Sequence, residues 1–220
     1  MNQTLTTIFA LTVACVTGTA QAQEVRGDAK AGASKVAMCI GCHGIEGYQA
    51  SFPEVHKVPM ISGQGAGYIA AALVAYQKGE RKHPTMRSIA NSLTDQDIAD
   101  VSAFYEKQVP ASTAAKPVRE PSVQVAELLK RGACISCHGD NFAKPIDPSY
   151  PKIAGQHADY LYVALKSYKG QTHVLGRSNG VMSGQAKKYS NTELKELATY
   201  ISSLPGELKT VPESRFHHAD

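Results

Sequence analysis

The stretch Cys39-Ile40-Gly41-Cys42-His43 occurs a second time in the chain as Cys134-Ile135-Ser136-Cys137-His138. In each copy, two thiols with two residues between them can form thioether bonds to the two vinyl groups on one side of a porphyrin. The histidine that follows directly is then held beneath the ring, where a ring nitrogen can bind the iron. This pattern is the attachment site of a c-type haem, so the two copies predict two covalently attached haem c groups.

The motif residues therefore have two predicted roles. The four thiols carry the covalent haems, and the histidines supply one axial ligand to each iron. The thiols are Cys39, Cys42, Cys134 and Cys137, and the histidines are His43 and His138.

Two other chemistries use paired thiols, and both fit this sequence less well. A redox-active pair of the thioredoxin type needs no histidine directly after it. A zinc ribbon joins its two cysteine pairs over about fifteen to twenty residues, whereas Cys42 and Cys134 lie 92 positions apart. The adjacent histidines therefore favour haem.

The composition is that of an ordinary globular chain, with 43% hydrophobic and 19% charged residues among 220. This length is typical of one or two domains. The chain has no tryptophan and only five phenylalanines, so two small domains built from it would have thin hydrophobic cores. A porphyrin buried in each half would supply the missing apolar surface.

The net charge of the chain narrows the classes of possible partner. The net charge is +4, from 23 Lys and Arg against 19 Asp and Glu, and no stretch concentrates the basic residues. This mild balance does not indicate a nucleic-acid partner.

Four of the five cysteines belong to the two motifs, and the fifth, Cys15, lies near the N-terminus, so no thiols remain for a structural disulfide.

The N-terminus has the features of a secretory signal. Residues 5–16 form an apolar run that is too short to span a bilayer, and Ala20-Gln21-Ala22 is a small-residue cleavage pattern. We expect residues 1–22 to be a cleaved signal peptide and the mature protein to be soluble in the periplasm, with at most peripheral membrane association. A lipid anchor on Cys15 is the alternative, but the residues before it fit a lipoprotein signal poorly.

The rest of the chain is a tandem repeat. The two motifs align at an offset of 95, Gly63-Gln64 aligns with Gly155-Gln156 at 92, and Met86 aligns with Met182 at 96. A stretch with three prolines and several small residues separates the halves and is typical of an extended linker. The predicted organisation is domain 1 (23–109), linker (110–121), domain 2 (122–206) and a flexible C-terminal tail (207–220).

Each half predicts the same series of helices and no sheet. Thr94 and Ser190 have the position of N-caps for the last helix of each half, and apolar residues follow at the spacing of a buried stripe. Those stripes are Ile98, Val101 and Tyr105, and Leu194, Leu197 and Ile201. Earlier helices are expected over about 28–39, 67–77, 122–134 and 159–169. The predicted fold class is all-α, with the first and last helices of each domain packed together.

The second axial ligand decides whether a haem iron carries electrons or binds a substrate. Met86 and Met182 are the candidates, because they follow their motif histidines by 43 and 44 residues and occupy the same place in the repeat. A methionine is more often a core residue than a ligand, but this pair alone is repeated in both halves. Met60 has a lysine as its counterpart, and Met38 directly precedes the first motif, where it is badly placed to cross the ring.

Histidine is the rival ligand. His83 lies close to Met86, and His173 lies on the corresponding loop of the second half, but the two do not align. With histidine and methionine both bound, each iron is six-coordinate and closed, which favours an electron carrier over an enzyme. A thioether ligand also stabilises the ferrous state and raises the reduction potential.

Two further pairs have open interpretations. A ligating histidine usually donates its other ring N–H to a carbonyl, and Pro59 and Pro151 either supply that carbonyl or are ordinary turn prolines. Arg81 and Arg177 follow the second long helix of each half. They would face haem propionates, the seam between the domains, or solvent.

These motifs together resemble the dihaem class I cytochromes c, in particular the cytochrome c4 family, over nearly all of the mature chain. The first half contributes Cys39-x-x-Cys42-His43-Gly44, Gly63-Gln64, Tyr76-x-x-Gly79-x-Arg81, and Met86 with the helix that follows it. The second half contributes Cys134-x-x-Cys137-His138-Gly139, Pro151-x-x-x-Gly155-Gln156, Gly176-Arg177 and Met182. The resemblance implies two tandem class I cytochrome c domains, each wrapped around one covalently bound haem. It also implies a pseudo-twofold axis between the domains, with haem propionates near the shared interface.

The resemblance also implies a function. The protein would be a non-catalytic carrier of the respiratory chain that moves electrons one at a time from a quinol-oxidising complex to a haem–copper terminal oxidase. The alternative is the dihaem electron-accepting subunit of a dehydrogenase, such as the sulfide-oxidising flavocytochrome c. A dihaem enzyme in its own right would need an open axial position, and the methionine pair argues against it.

Overall fold

The computed structural model describes residues 25–108, 117–170 and 176–212. The predicted signal peptide, His173 and most of the predicted linker lie outside these ranges. The described chain forms two domains that are mainly helical, as the sequence predicts. None of the helices in these ranges is long and apolar enough to cross a bilayer.

Within the described residues, each domain contains five α-helices in the same order. Domain 1 has α1 (Ala29–Ala33), α2 (Ala37–His43), α3 (Ala66–Gln77), α4 (Pro84–Asn91) and α5 (Asp95–Lys107). Domain 2 has α6 (Val123–Gly132), α7 (Ile135–His138), α8 (Ala158–Lys169), α9 (Gly180–Ala186) and α10 (Asn191–Ser203). A short 3₁₀ turn at Asp140–Phe142 follows α7.

The helix predicted to lead into each haem motif is broken in two. A turn at 34–36 separates α1 from α2. Between α6 and α7, Ala133 adopts a left-handed conformation with a φ of 46°. Both breaks lie just before the motif, which therefore forms a short helix of its own.

The last helix of each domain matches its prediction closely. Both α5 and α10 begin with a complete capping box, formed by Thr94 with Asp97 and by Ser190 with Glu193. The predicted stripes are buried, and no residue in them is more than 5% exposed. As expected, the first helices pack on the last ones, α1 on α5 and α6 on α10. The approach of α1 is so close that a Cβ on Gly32 would overlap the backbone oxygen of Asp100.

Two helices and four short strands were not predicted. Helices α4 and α9 carry Met86 and Met182. The strands pair as β1 (Gln49–Ala50) with β2 (His56–Lys57), and β3 (Arg81–Lys82) with β4 (Gly176–Arg177). Each strand has two residues, which is too short for an alternating pattern to be visible in the sequence.

The start of the predicted flexible tail is packed against domain 1. Leu208 is only 2% exposed, and the backbone N–H of Lys209 donates to the Ser62 oxygen at 3.1 Å. Glu207 still pairs with Lys152 of domain 2 at 2.6 Å. The chain thus passes from domain 2 to the surface of domain 1 over residues 207–209, and the prediction of a flexible tail is corrected for these residues.

The two Gly-Gln pairs form a reciprocal seam between the domains. The side-chain amide of Gln64 donates to the Lys152 oxygen at 2.9 Å and accepts from the Lys152 N–H at 3.0 Å. Gln156 makes the same two bonds to the backbone of Met60, at 2.9 and 3.0 Å. Both glutamines are 3% exposed. Each domain therefore places one buried glutamine amide against the segment that precedes α3 or α8 of the other domain.

The seam also has contacts that are not repeated. The β1–β2 hairpin of domain 1 lies against α8 of domain 2. The N–H of Lys57 donates to Asp159 at 3.0 Å, and Lys166 pairs with Glu54 at 2.7 Å. Strands β3 and β4 come from different domains and pair Arg81 with Arg177. The domains are thus joined by backbone, amide and ionic contacts together.

A Gln156→Ala variant tests the reciprocal seam. It removes the two hydrogen bonds to Met60 and a third from the His157 N–H, and it leaves the Met60 N–H and carbonyl without the Gln156 amide, at a cost of roughly 1–3 kcal/mol. We expect the free energy of unfolding of the holoprotein to fall by that amount in denaturant titrations followed by circular dichroism. The exposed Gln124 on α6 is the matched control, and Gln124→Ala should change nothing. Equal stability of the two variants would contradict this role of the seam.

Candidate haem sites

All eight residues predicted as thioether or axial positions line one cavity. Its volume is about 940 Å³. Apolar side chains such as Ile69 and Leu73 of α3 and Leu161 and Leu165 of α8 form much of its wall. The residues brought together are Cys39, Cys42, His43, Met86, Cys134, Cys137, His138 and Met182. The cavity is therefore shared by the two domains and contains both copies of the motif.

The four motif thiols are free and half-buried. Burial raises the pKa of the Cys39 and Cys134 thiols above its ordinary value, so both are protonated at neutral pH. No disulfide within the described residues competes for them. Each pair lies on or beside a short helix that ends at its motif histidine, so thiols and imidazole are held within about one helical turn.

Both motif histidines are held by the predicted proline carbonyls. His43 Nδ1 lies 2.8 Å from the Pro59 oxygen, and His138 Nδ1 lies 3.1 Å from the Pro151 oxygen. A carbonyl only accepts, so the proton is on Nδ1 and Nε2 keeps its lone pair. Burial lowers the pKa of both imidazoles, and the carbonyl bonds offset only part of that effect. The histidines are thus neutral and ready to bind a metal ion.

The two predicted methionine ligands occupy equivalent places on α4 and α9. Each is the third residue of its helix, and its backbone N–H points to the side chain of the N-cap residue. That residue is His83 in domain 1 and Asn179 in domain 2. His83 is thus the counterpart of Asn179 rather than of His173. The Nδ1 of His83 accepts from the Met86 N–H, which weighs against His83 as the rival ligand.

Arg81 and Arg177 lie at the seam, which corrects the solvent alternative. Arg81 is 9% exposed, and Arg177 is half-buried. The Tyr160 hydroxyl accepts from both guanidiniums, at 3.4 Å from Arg81 and 3.2 Å from Arg177. Tyr68 accepts from Arg81 at 3.2 Å. Two arginines from different domains therefore share one tyrosine oxygen.

A bound anion would stabilise this cluster of buried positive charges. Arg81 Nε is buried without a hydrogen-bond partner among the described residues, and the charges of Arg81 and Arg177 repel each other. Burial raises the pKa of Tyr160, but the two guanidiniums outweigh it and lower the value to about 8. Burial raises the pKa of Tyr68 to about 12 despite Arg81. Both arginines also line the cavity.

Sequence reasoning missed the roles of two residue pairs in this site. Gln64 and Gln156 join the domains, and Tyr68 and Tyr160 hold the arginines. The only sequence signal for either pair is its recurrence at the same offset of 92. That signal shows that both halves need the residues but does not show that each pair contacts the opposite half.

The fold and the cavity define a class. Two helical domains, each with a reduced Cys-x-x-Cys-His motif, a carbonyl-held imidazole and an internally repeated methionine, share one largely apolar cavity beside a buried cationic pair. This is the arrangement of a tandem c-type cytochrome, and the residues present fit covalently bound haem.

Comparisons with known proteins give the same class. The cytochrome c family model matches residues 29–107 and 123–205. Cytochrome c4 of Azotobacter vinelandii is 32% identical, covering 93% of this chain and all of that protein. A thiosulfate dehydrogenase electron acceptor of Stutzerimonas stutzeri is 31% identical over 79% of this chain and 82% of its own. The crystal structure of reduced recombinant cytochrome c4 from Pseudomonas stutzeri aligns with a TM-score of 0.59 at 28% identity, covering 81% of this chain and 99% of that one.

The chain therefore belongs to the cytochrome c family, in its two-domain cytochrome c4 branch. It is a dihaem electron carrier rather than an enzyme, and its two haem c groups are covalently attached.

Proposed function

We propose that the two haems are closed His/Met sites that pass single electrons between redox proteins of the periplasm. In domain 1, Cys39 and Cys42 form the thioether bonds, and His43 and Met86 are the axial ligands. In domain 2, the same roles fall to Cys134, Cys137, His138 and Met182. The observation that carries this proposal is that all eight residues line one cavity, in two sets built identically around a carbonyl-held histidine.

The protein's contribution is to hold and enclose the metal. A haem iron bound by histidine and thioether cycles between ferric and ferrous states by one electron. The Pro59 and Pro151 carbonyls keep each imidazole in the tautomer that can bind, and helices α4 and α9 bring the thioethers. With both axial positions filled by side chains, a substrate would have to displace a ligand before it could bind.

The arginine pair fits the haem carboxylates. We assign Arg81 and Arg177 as the groups that neutralise propionates at the domain seam, supported by the unpartnered Arg81 Nε and the mutual repulsion of the guanidiniums. Bidentate, charge-assisted bonds to carboxylates are the strongest that a guanidinium makes. Both cofactors would then meet near the same cluster, which favours electron exchange between them.

The proposal also names the electron donor and acceptor. We assign the protein to the respiratory chain, carrying electrons from a quinol-oxidising complex to a terminal oxidase. The predicted signal peptide, cleaved after Ala22, would place it in the periplasm. N-terminal sequencing of the mature protein tests the export, and an N-terminus upstream of Gln23 would contradict it.

A specific relative favours a second candidate function, that of the electron-accepting partner of a dehydrogenase. The thiosulfate dehydrogenase electron acceptor is similar to this chain over both domains. Affinity purification of the tagged holoprotein from its own host separates the two. Recovery with an oxidase supports the respiratory carrier, and recovery with a dehydrogenase subunit supports the alternative.

Methionine variants test the axial ligands. Met86→Ala and Met182→Ala should each remove about half of the weak long-wavelength sulfur-to-iron charge-transfer band of the oxidised protein. Each should also open one iron, so that the reduced variant binds carbon monoxide at about one haem per chain. Met60→Ala is the matched control, because Met60 lines the same cavity but has no methionine counterpart in the repeat. An intact band in Met86→Ala, or its loss in Met60→Ala, would contradict the assignment.

An Arg81→Gln variant tests the propionate assignment. Removing a buried positive charge disfavours the more negative ferrous state, so the reduction potential of the domain 1 haem should fall by on the order of 50 mV. Arg81→Lys keeps the charge and should lower the potential less. Arg26→Gln removes an exposed charge from the same domain and should leave the potential unchanged. Potentiometric titration of the holoproteins measures all three, and an unchanged or raised potential in Arg81→Gln would refute the assignment.

A further inference from the structure

The helices that carry the two methionines begin in the same way but with different residues. In each, the N-cap side chain accepts a hydrogen bond from the backbone N–H of the methionine itself. The distance is 3.4 Å from Met86 N to His83 Nδ1 and 2.9 Å from Met182 N to Asn179 Oδ1. The cap bond is therefore attached directly to the residue proposed as the ligand, and it is the longer of the two in domain 1.

The histidine cap also contacts a neighbouring aromatic ring. The His83 ring meets Phe52 edge-on, with centroids 5.6 Å apart. Because Nδ1 accepts from Met86, the proton of the neutral ring is on Nε2. The imidazole therefore connects the start of α4 to the loop containing Phe52. Asn179 has no comparable ring contact in the described residues.

We propose that His83 and Asn179 are positioning residues that hold Met86 and Met182 at the haem iron, and that the histidine cap holds its methionine less firmly. The inference rests on the methionine ligation proposed above. Asparagine is among the best N-cap residues, whereas histidine is not among the preferred types. The helices have eight and seven residues, so each has little other hydrogen bonding to keep its first turn in place. Domain 1 is accordingly the site at which the thioether detaches first under stress.

Cap variants of the holoprotein test this directly. Asn179→Ala should raise the population with a detached methionine by roughly 2- to 30-fold, the range expected for loss of an N-cap, and His83→Ala should raise it by a smaller factor because the histidine cap is the weaker one. Denaturant titration of the sulfur-to-iron charge-transfer band measures detachment, while circular dichroism at helical wavelengths measures unfolding of the fold. In the reduced protein, the shifted methyl proton resonance of each bound methionine shows which domain has lost its ligand.

Two further variants separate positioning from general stability. His83→Asn should move the loss of the domain 1 methionine resonance to higher denaturant, towards the value for domain 2. Ser122 caps α6, which carries no methionine. Ser122→Ala should therefore lower the stability of the fold without detaching either ligand first.

The outcomes of these experiments distinguish the positioning role of His83 and Asn179 from the methionine ligation on which it rests. A wild-type protein without the charge-transfer band would overturn the methionine ligation itself. Two other results would overturn the positioning role alone. In the first, the band is present in the wild type and stays unchanged in His83→Ala and Asn179→Ala. In the second, these variants lose the band only together with the helical signal, as Ser122→Ala does. Earlier loss at domain 2 in the wild type would overturn the predicted order.

Discussion

The hydrogen bond from each motif histidine to a proline carbonyl is the interaction on which both sites depend. It joins the short helix that carries the thiols to the segment that leads into the next long helix, and it fixes the imidazole tautomer. Without it, an imidazole held only by its place in the chain would have two tautomers and free rotation. The same bond occurs in both domains, although the loop it closes spans 16 residues in one and 13 in the other. Loop length is therefore free to vary, while the position of the carbonyl is not.

That difference in loop length has a structural consequence at the seam. The longer loop of domain 1 forms the β1–β2 hairpin, which places Glu54 and Lys57 against α8 of domain 2. The glutamine contacts are reciprocal, but the hairpin contacts are not. The two halves are thus related by an approximate symmetry that the chain breaks on one side.

Local features of the structure followed from the sequence, and contacts between the halves did not. The haem motifs, the capping boxes at Thr94 and Ser190 and the buried stripes of the last helices depend on residues within a few positions of one another. The seam of Gln64 and Gln156 joins residues that are 88 or 96 positions apart. Hydrophobic periodicity carries no information at that distance. Recurrence in the repeat marked these residues as needed without showing their partners.

The structure differs from the sequence prediction at two further places, and both differences have local causes. Helices α4 and α9 are too short to show periodicity, and His83 is not a usual cap, so only Pro84 and Asn179 hinted at their starts. The tail from residue 207 has no helical pattern, yet Leu208 finds an apolar site and Lys209 pairs with domain 1. A segment without secondary structure can still be held by one buried side chain and one backbone bond.

If both irons are closed by protein ligands, as proposed, the spin state of the oxidised holoprotein shows it most directly. Six-coordinate His/Met sites give low-spin ferric iron. Electron paramagnetic resonance of the native oxidised protein should therefore show low-spin signals that account for two haems per chain and no high-spin signal. A high-spin signal amounting to one haem per chain would show an open iron, and the protein would then not be a simple carrier.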